Sequence, residues 1–211
     1  MFPLLRSFRD DKKAALNDFA DTFEEEPGIA MNLPLKENTF LITVSILNNI
    51  PIILTGPPGS SKTLSTNLVY KNMKGPESRH KFWRTKPKLI YKSYQCSELS
   101  TSLGIQRCFE LAKKVNLQYK DRNRITVILL DEIGLAEKSP SNPLKVLHSL
   151  LETANIPVIG LSNWQLDAAK MNRLVHASRP SLHLHDLKDT VRALKKAINR
   201  RTDLILLDRL A

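Results

Sequence analysis

Eight consecutive residues, Gly56-Pro-Pro-Gly-Ser-Ser-Lys-Thr63, limit what this chain can fold into more than the rest of it does. They follow the apolar run Ile50-Pro-Ile-Ile-Leu-Thr55, which reads as a short buried strand, and they precede a helix-prone stretch from Leu64 to Asn72. Phosphoanhydride oxygens need several hydrogen-bond donors converging on a small volume. A tight loop that opens a helix N-terminus supplies them through its backbone N–H groups. Gly56 and Gly59 permit torsions and close approach that other residues resist. Pro57, Pro58, Ser60, Ser61 and Leu64 complete the candidate cradle. Lys62 is expected to reach the β- and γ-phosphates, standing exposed in that cradle, and the Thr63 hydroxyl to ligate Mg²⁺. Ser61 occupies a position where this pattern ordinarily has glycine, which keeps the N–H but adds a side chain beside the phosphate.

A second apolar run, Ile125-Thr-Val-Ile-Leu-Leu130, has the composition of a strand covered on both faces and ends at Asp131-Glu132. Ligands of parallel α/β sheets collect at the carboxyl ends of strands. Asp131 suits an indirect hold on Mg²⁺ through water and Thr63. Glu132 suits polarising and orienting a water in line with the γ-phosphorus. A third buried run, Ile156–Leu161, delivers Ser162-Asn163-Trp164. Asn163 is placed to hydrogen-bond that water or the γ-phosphate, with a turn or helix cap as its alternative; Trp164 is read as packing.

Around these strands the pattern gives helices at 36–48, 100–118 and 144–153, another strand at Leu89–Tyr94, a short helix near 166–173 and a basic amphipathic helix at 187–200. Strands alternating with helices predict an α/β fold: a parallel sheet with crossover helices on both faces, in three layers. Residues 10–26 read as a short amphipathic helix, ended by Pro27-Gly28. Residues 74–87, polar and basic with two prolines, read as a loop or insertion.

The net charge of +11 is concentrated. Residues 51–125 hold 15 basic and 4 acidic side chains, whereas residues 1–50 hold 5 and 8. Such a field attracts polyanions, or it simply keeps a loop solvated. No window approaches a membrane span and no secretory signal is expected. Two cysteines, Cys96 and Cys108, exclude a disulfide framework and favour a reducing, cytoplasmic setting; both are read as small buried hydrophobes. With five histidines besides, they are too few for a RING-type pair of zinc sites. His183 and His185 have a spacing that could hold a metal, but lack an evident third ligand.

Taken in order, NIPIILTGPPGSSKTLS, VILLDEIGLAEKSPSNPLKVLHSLLE and IGLSNWQLDAAKMNR resemble one AAA+ ATPase module. More narrowly, they resemble a catalytic AAA+ unit of the mysterin family, giant RING-finger AAA+ ubiquitin ligases, in which the serine of GSSKT also occurs. The likeness covers roughly residues 30–198. It implies the P-loop NTPase fold, ATP and Mg²⁺ as ligands, Gly56, Gly59, Lys62 and Thr63 as the nucleotide loop, Asp131 and Glu132 as the metal and water pair, and Asn163 as sensor. It implies neighbouring AAA+ modules as partners, in a homo-oligomer or a larger chain, with the work acting on an unidentified protein substrate. Such modules complete their sites with an arginine from the neighbour. Arg173 is the first candidate and Arg179 the second, each with a structural ion pair as its alternative.

The expected division is a helical leader at 1–27, the α/β nucleotide-binding core at 28–185 and the start of a helical lid at 186–211, truncated. That ending, with a single module and no RING, suggests a fragment, a truncated gene model or a short paralogue, so ligase activity belongs to the parent family. Three functions compete: an Mg²⁺-dependent ATP hydrolase, a nucleotide-responsive scaffold without appreciable hydrolysis, and a nucleic-acid-dependent loader. Nucleic acid ranks last, because no recognition helix or aromatic stacking platform is visible.

Overall fold

In the computed structural model of the chain, the described residues are 3–119, 123–153, 155–167 and 173–208, with side chains described from 10 to 199 within those ranges. Five parallel strands form one sheet: β1 (Ile52–Thr55), β2 (Lys88–Gln95), β3 (Arg124–Asp131), β4 (Val158–Ser162) and β5 (Val175–Ser178), in the order β2-β3-β4-β1-β5. The parallel α/β reading of the sequence therefore holds.

The strands alternate as a two-faced sheet requires. Ile52, Leu54, Val127, Ile159 and Leu161 point into one core, shared with α2 (Leu33–Leu47) and α3 (Lys62–Asn72). Ile53, Ile128, Leu130 and Val158 point into the other, shared with α5 (Ser102–Gln118), α6 (Ile133–Glu137) and α7 (Leu147–Thr153). Helix starts follow local chemistry. Asn32 caps α2 by accepting from Leu35 N, with Pro34 in the first turn, and Thr101 caps α5 by accepting from Gly104 N.

Two expectations need correction. The basic stretch 74–87 is not an open loop: it carries a 3₁₀ turn at Gly75–Glu77 and the short helix α4 (Lys81–Arg84), which drives Trp83 wholly out of solvent. The Trp83 indole N–H donates to Thr22 O (3.0 Å), and its ring meets Phe19, Phe23 and Phe82 edge-on. The composition there is polar because lysines and arginines surround the pair Phe82 and Trp83, of which Trp83 is the buried anchor. That anchor also receives the leader: α1 (Pro3–Ala20) buries Leu16 and Ala20, and Phe23 just beyond it enters the core.

The second correction adds β5, which the sequence reading lacked. It pairs along β1 from Ile52↔Val175 to Thr55↔Ser178 and closes the sheet edge behind the glycine loop. The short helix expected at 166–173 falls largely outside the described residues. The basic helix expected at 187–200 is longer, α8 (Leu184–Asp208).

Candidate functional site

The ends of β1, β3 and β4 come together because β4 lies between the other two. At their carboxyl ends is a cleft of about 480 Å³ lined by Pro58 through Leu64, Asp131, Glu132 and Leu161 through Asn163. Thus the loop, the acidic pair about 70 residues after it and the polar end of β4 about 100 residues after it share one hollow.

The loop needs its glycines for two different reasons. A β-carbon on Gly56 would lie 2.9 Å from both Arg179 O and Ser60 Oγ, so the neighbouring strand leaves no space for one. Gly59 has free space around it but a φ of +82°, which L side chains avoid. Beyond them Ser61 takes the left-handed conformation (φ 61°, ψ 20°) and Lys62 begins α3, whose first N–H groups are left over by helix geometry. Donors with dipole support thus face the cleft, a donor set that fits a polyphosphate.

Lys62 is not exposed as expected. It is 8% accessible, and its ammonium donates to Gly56 O (2.7 Å), Pro57 O (3.0 Å) and Ser60 Oγ (3.2 Å). Its aliphatic stem packs inward, and the loop's own acceptors satisfy the charge. Burial pulls its pKa below the ordinary lysine value, and the Asp131 carboxylate pulls the other way. Thr63, at the next position, lines the same cleft as Asp131.

Asp131 ends β3, and one of its carboxylate oxygens accepts from Glu132 N (2.9 Å). Glu132 then turns left-handed (φ 50°) into α6. Its carboxylate accepts from Gln95 Nε2 (3.1 Å), whose backbone stands in register with Asp131 at the end of β2. Gln95 escaped the sequence reading; the available signal was a polar residue closing an alternating strand beside the acidic one. Asn163 lines the cleft at the end of β4, the strand between the loop and the acidic pair, next to Ser162, whose hydroxyl donates to Trp164 O (2.6 Å). Trp164 packs, with the Lys138 ammonium 4.6 Å from its ring centre.

Neither candidate arginine lines this cleft. Arg173 donates to His148 O and pairs with Glu152 (2.6 Å) near α7. Arg179, following β5, pairs with Glu37 on α2 and donates Nε–H to Asn38 Oδ1 (2.6 Å). Cys96 and Cys108 are both buried and free; burial, with Asp131, Cys108 and Glu132 nearby, pushes the Cys96 thiol up to about 12. Among the described residues no helix is long and apolar enough to cross a membrane.

Comparison with known proteins matches residues 28–186 to the family described as RNF213 AAA domain. The chain is 38% identical over 200 residues to the human E3 ubiquitin-protein ligase RNF213 and 39% identical over 177 residues to the mouse protein. These matches cover 90% and 79% of this chain but only 4% and 3% of those proteins. Among solved structures, Aeropyrum pernix ORC2, in ADPNP and ADP complexes, aligns with a TM-score of 0.56 at 12% identity, over 81% of this chain and 54% of that one. Thermotoga maritima RuvB T158V aligns with a TM-score of 0.50 at 14% identity, over 78% and 50%. At these identities the two structures speak for the fold alone.

Proposed function

The chain belongs to the RNF213 AAA domain family, and from that premise we propose that it binds ATP with Mg²⁺ in the cleft at the strand ends and hydrolyses it to ADP and phosphate. The observation that carries this reading is the shared hollow: phosphate loop, acidic pair and Asn163 line one cleft of about 480 Å³.

In this reading the amides from Gly59 to Leu64 and the Lys62 ammonium hold the phosphates, Lys62 exchanging its loop acceptors for phosphate oxygens. Thr63 and Asp131 would hold Mg²⁺, which neutralises charge on the β- and γ-phosphates when bound. Glu132 orients a water and draws its proton as the water oxygen bonds to the γ-phosphorus. The bond to the bridging oxygen breaks, ADP departs, and the proton ends on phosphate or solvent. Asn163, at the end of β4 between the loop and the acidic pair, hydrogen-bonds the water or the γ-phosphate. Neighbouring AAA+ modules are the proposed partners. A cytoplasmic setting is proposed from the two free, buried thiols.

A second reading has one observation in its favour. Arg173 and Arg179 are both held in ion pairs within the chain, so a nucleotide-responsive scaffold without appreciable turnover also deserves a test. Lys62→Ala and Glu132→Gln separate the readings when ATP affinity and phosphate release are measured together. Hydrolysis requires that Lys62→Ala lose binding and that Glu132→Gln bind tightly while releasing no phosphate. Tight ATP binding with equally negligible release by the unmodified chain and Glu132→Gln supports the scaffold. Unchanged affinity in Lys62→Ala refutes the site.

A further inference from the structure

Behind the phosphate loop, on the side away from the cleft, sits a buried polar chain that the nucleotide reading does not use. Asn38 on α2 has no solvent exposure. Its Nδ2 donates to Ser60 O in the loop (3.2 Å), while its Oδ1 accepts from Arg179 Nε (2.6 Å). Guanidinium groups only donate, so Arg179 fixes which end of the amide faces the loop. Arg179 is held in turn by Glu37, whose other oxygen accepts from Lys12 on α1 (2.8 Å), and by its own N–H to Thr55 O (2.7 Å).

The bond to Ser60 O acts on the peptide that joins Ser60 to Ser61. In a trans peptide the carbonyl and the following N–H point in opposite directions. Holding the carbonyl back toward Asn38 therefore turns the Ser61 N–H toward the cleft. That orientation requires φ 61° at Ser61, a conformation that a β-carbon resists and glycine does not.

We propose that Asn38, fixed by Arg179, is a positioning residue for the phosphate site: it straps the Ser60–Ser61 peptide so that Ser61 presents its amide although it is not glycine. This rests on the nucleotide reading above, and it gives Arg179 a role within its own module.

The test uses the full chain and Asn38→Asp, which keeps an acceptor for Arg179 but loses the donor to Ser60 O, with Asn38→Ala as the uncharged counterpart should the aspartate prevent folding. Two readouts are taken: affinity for a fluorescent ATP analogue with Mg²⁺, and the nucleotide-free amide resonance of residue 61 in ¹⁵N-labelled protein. The strap requires a shifted Ser61 resonance and about tenfold weaker binding. It also requires that the binding loss shrink to within threefold when Ser61→Gly is added, because glycine holds the left-handed turn unaided. A merely structural role would lower the melting point without this rescue. Unchanged affinity, or an equal loss in the glycine background, overturns the proposal. If the unmodified chain binds no ATP, the nucleotide reading fails and the resonance alone decides: a shifted Ser61 amide sustains the strap, an unmoved one overturns it.

Discussion

Gly134→Ala should separate turnover from binding. Gly134 lies in α6, two residues after Glu132, and packs against the end of β4. A β-carbon there would lie 2.5 Å from Ser162 Oγ and 2.8 Å from the Trp164 ring. Ordinary contact needs about 3.5 Å, so α6 and the Ser162–Trp164 segment must part by roughly 1 Å, or Ser162 must release its bond to Trp164 O. Either movement shifts Glu132 against Asn163, the two groups proposed to flank the attacking water. The glycine loop, on β1 and α3, meets this segment through the β1–β4 pairing that ends at Thr55↔Ser162 and through Gly56 N to Ser162 O (3.2 Å), both upstream of the loop's amides. A misplacement of about 1 Å can lower a rate by about 10²-fold. Overpacking costs about 1–3 kcal/mol, and the helix gains about 1 kcal/mol on replacing glycine by alanine, so the net loss of stability is about 0–2 kcal/mol. Steady-state phosphate release should fall about 100-fold while ATP affinity stays within about threefold. Turnover within twofold of the unmodified chain would refute the claim that this contact sets the catalytic geometry.

Two further outcomes follow from the packing around the leader. Trp83→Ala should destabilise the chain by about 3–5 kcal/mol, since it empties a fully buried site and strips Thr22 O of its donor; urea unfolding followed through Trp164 reads this, and a loss under about 1 kcal/mol would mean the aromatic cluster does not anchor the leader. Glu37 supplies a pH dependence: burial raises its pKa, but the Lys12 hydrogen bond and the charges of Arg179 and Lys12 outweigh this and hold it below the ordinary 4.5. A depressed carboxyl contributes stability above its unfolded value that is lost as pH falls through its folded one, so part of the stability at neutral pH should vanish below about pH 4.5 in the unmodified chain and be absent from Glu37→Gln; identical acid titrations of the two would contradict the assignment.

The candidate site was largely legible because its parts are local. A run of apolar residues ending in a glycine loop or an acidic pair declares both the strand and its carboxyl end, and parallel topology then brings such ends together. What stayed hidden depends on contacts between distant segments. Val-His-Ala-Ser at 175–178 has no apolar run to mark a strand and extends only because β1 pairs with it. Trp83 sits among lysines and arginines, so composition concealed its burial. The bond from Arg179 to Asn38 spans 141 positions, and no local pattern announces that an arginine after one strand will brace a loop after another. Lys62 differs for a related reason: the proposed role in holding phosphate implies exposure, but its flexible stem lets the ammonium fold onto the loop's own carbonyls.

Backbone strain marks the same cleft independently of any motif. Among the described residues, the non-glycine positions with positive φ are Asn49, Ser61, Asn123, Glu132, Asn142 and Asn155. Asparagine tolerates that conformation; serine and glutamate resist it by roughly 1–2 kcal/mol each. Ser61 and Glu132 are thus the two costly positions, and both line the cleft. Each is held by a neighbour, Ser61 through Asn38 on the preceding carbonyl and Glu132 through Asp131 on its own N–H. The two strains differ in what could relieve them. Glycine at 61 would remove the penalty and keep the amide, which is all that the proposed phosphate contact requires there. Glycine at 132 would remove the penalty together with the carboxylate. Strain at 132 is therefore inseparable from the proposed chemistry, whereas strain at 61 persists only as long as the Asn38 strap offsets it.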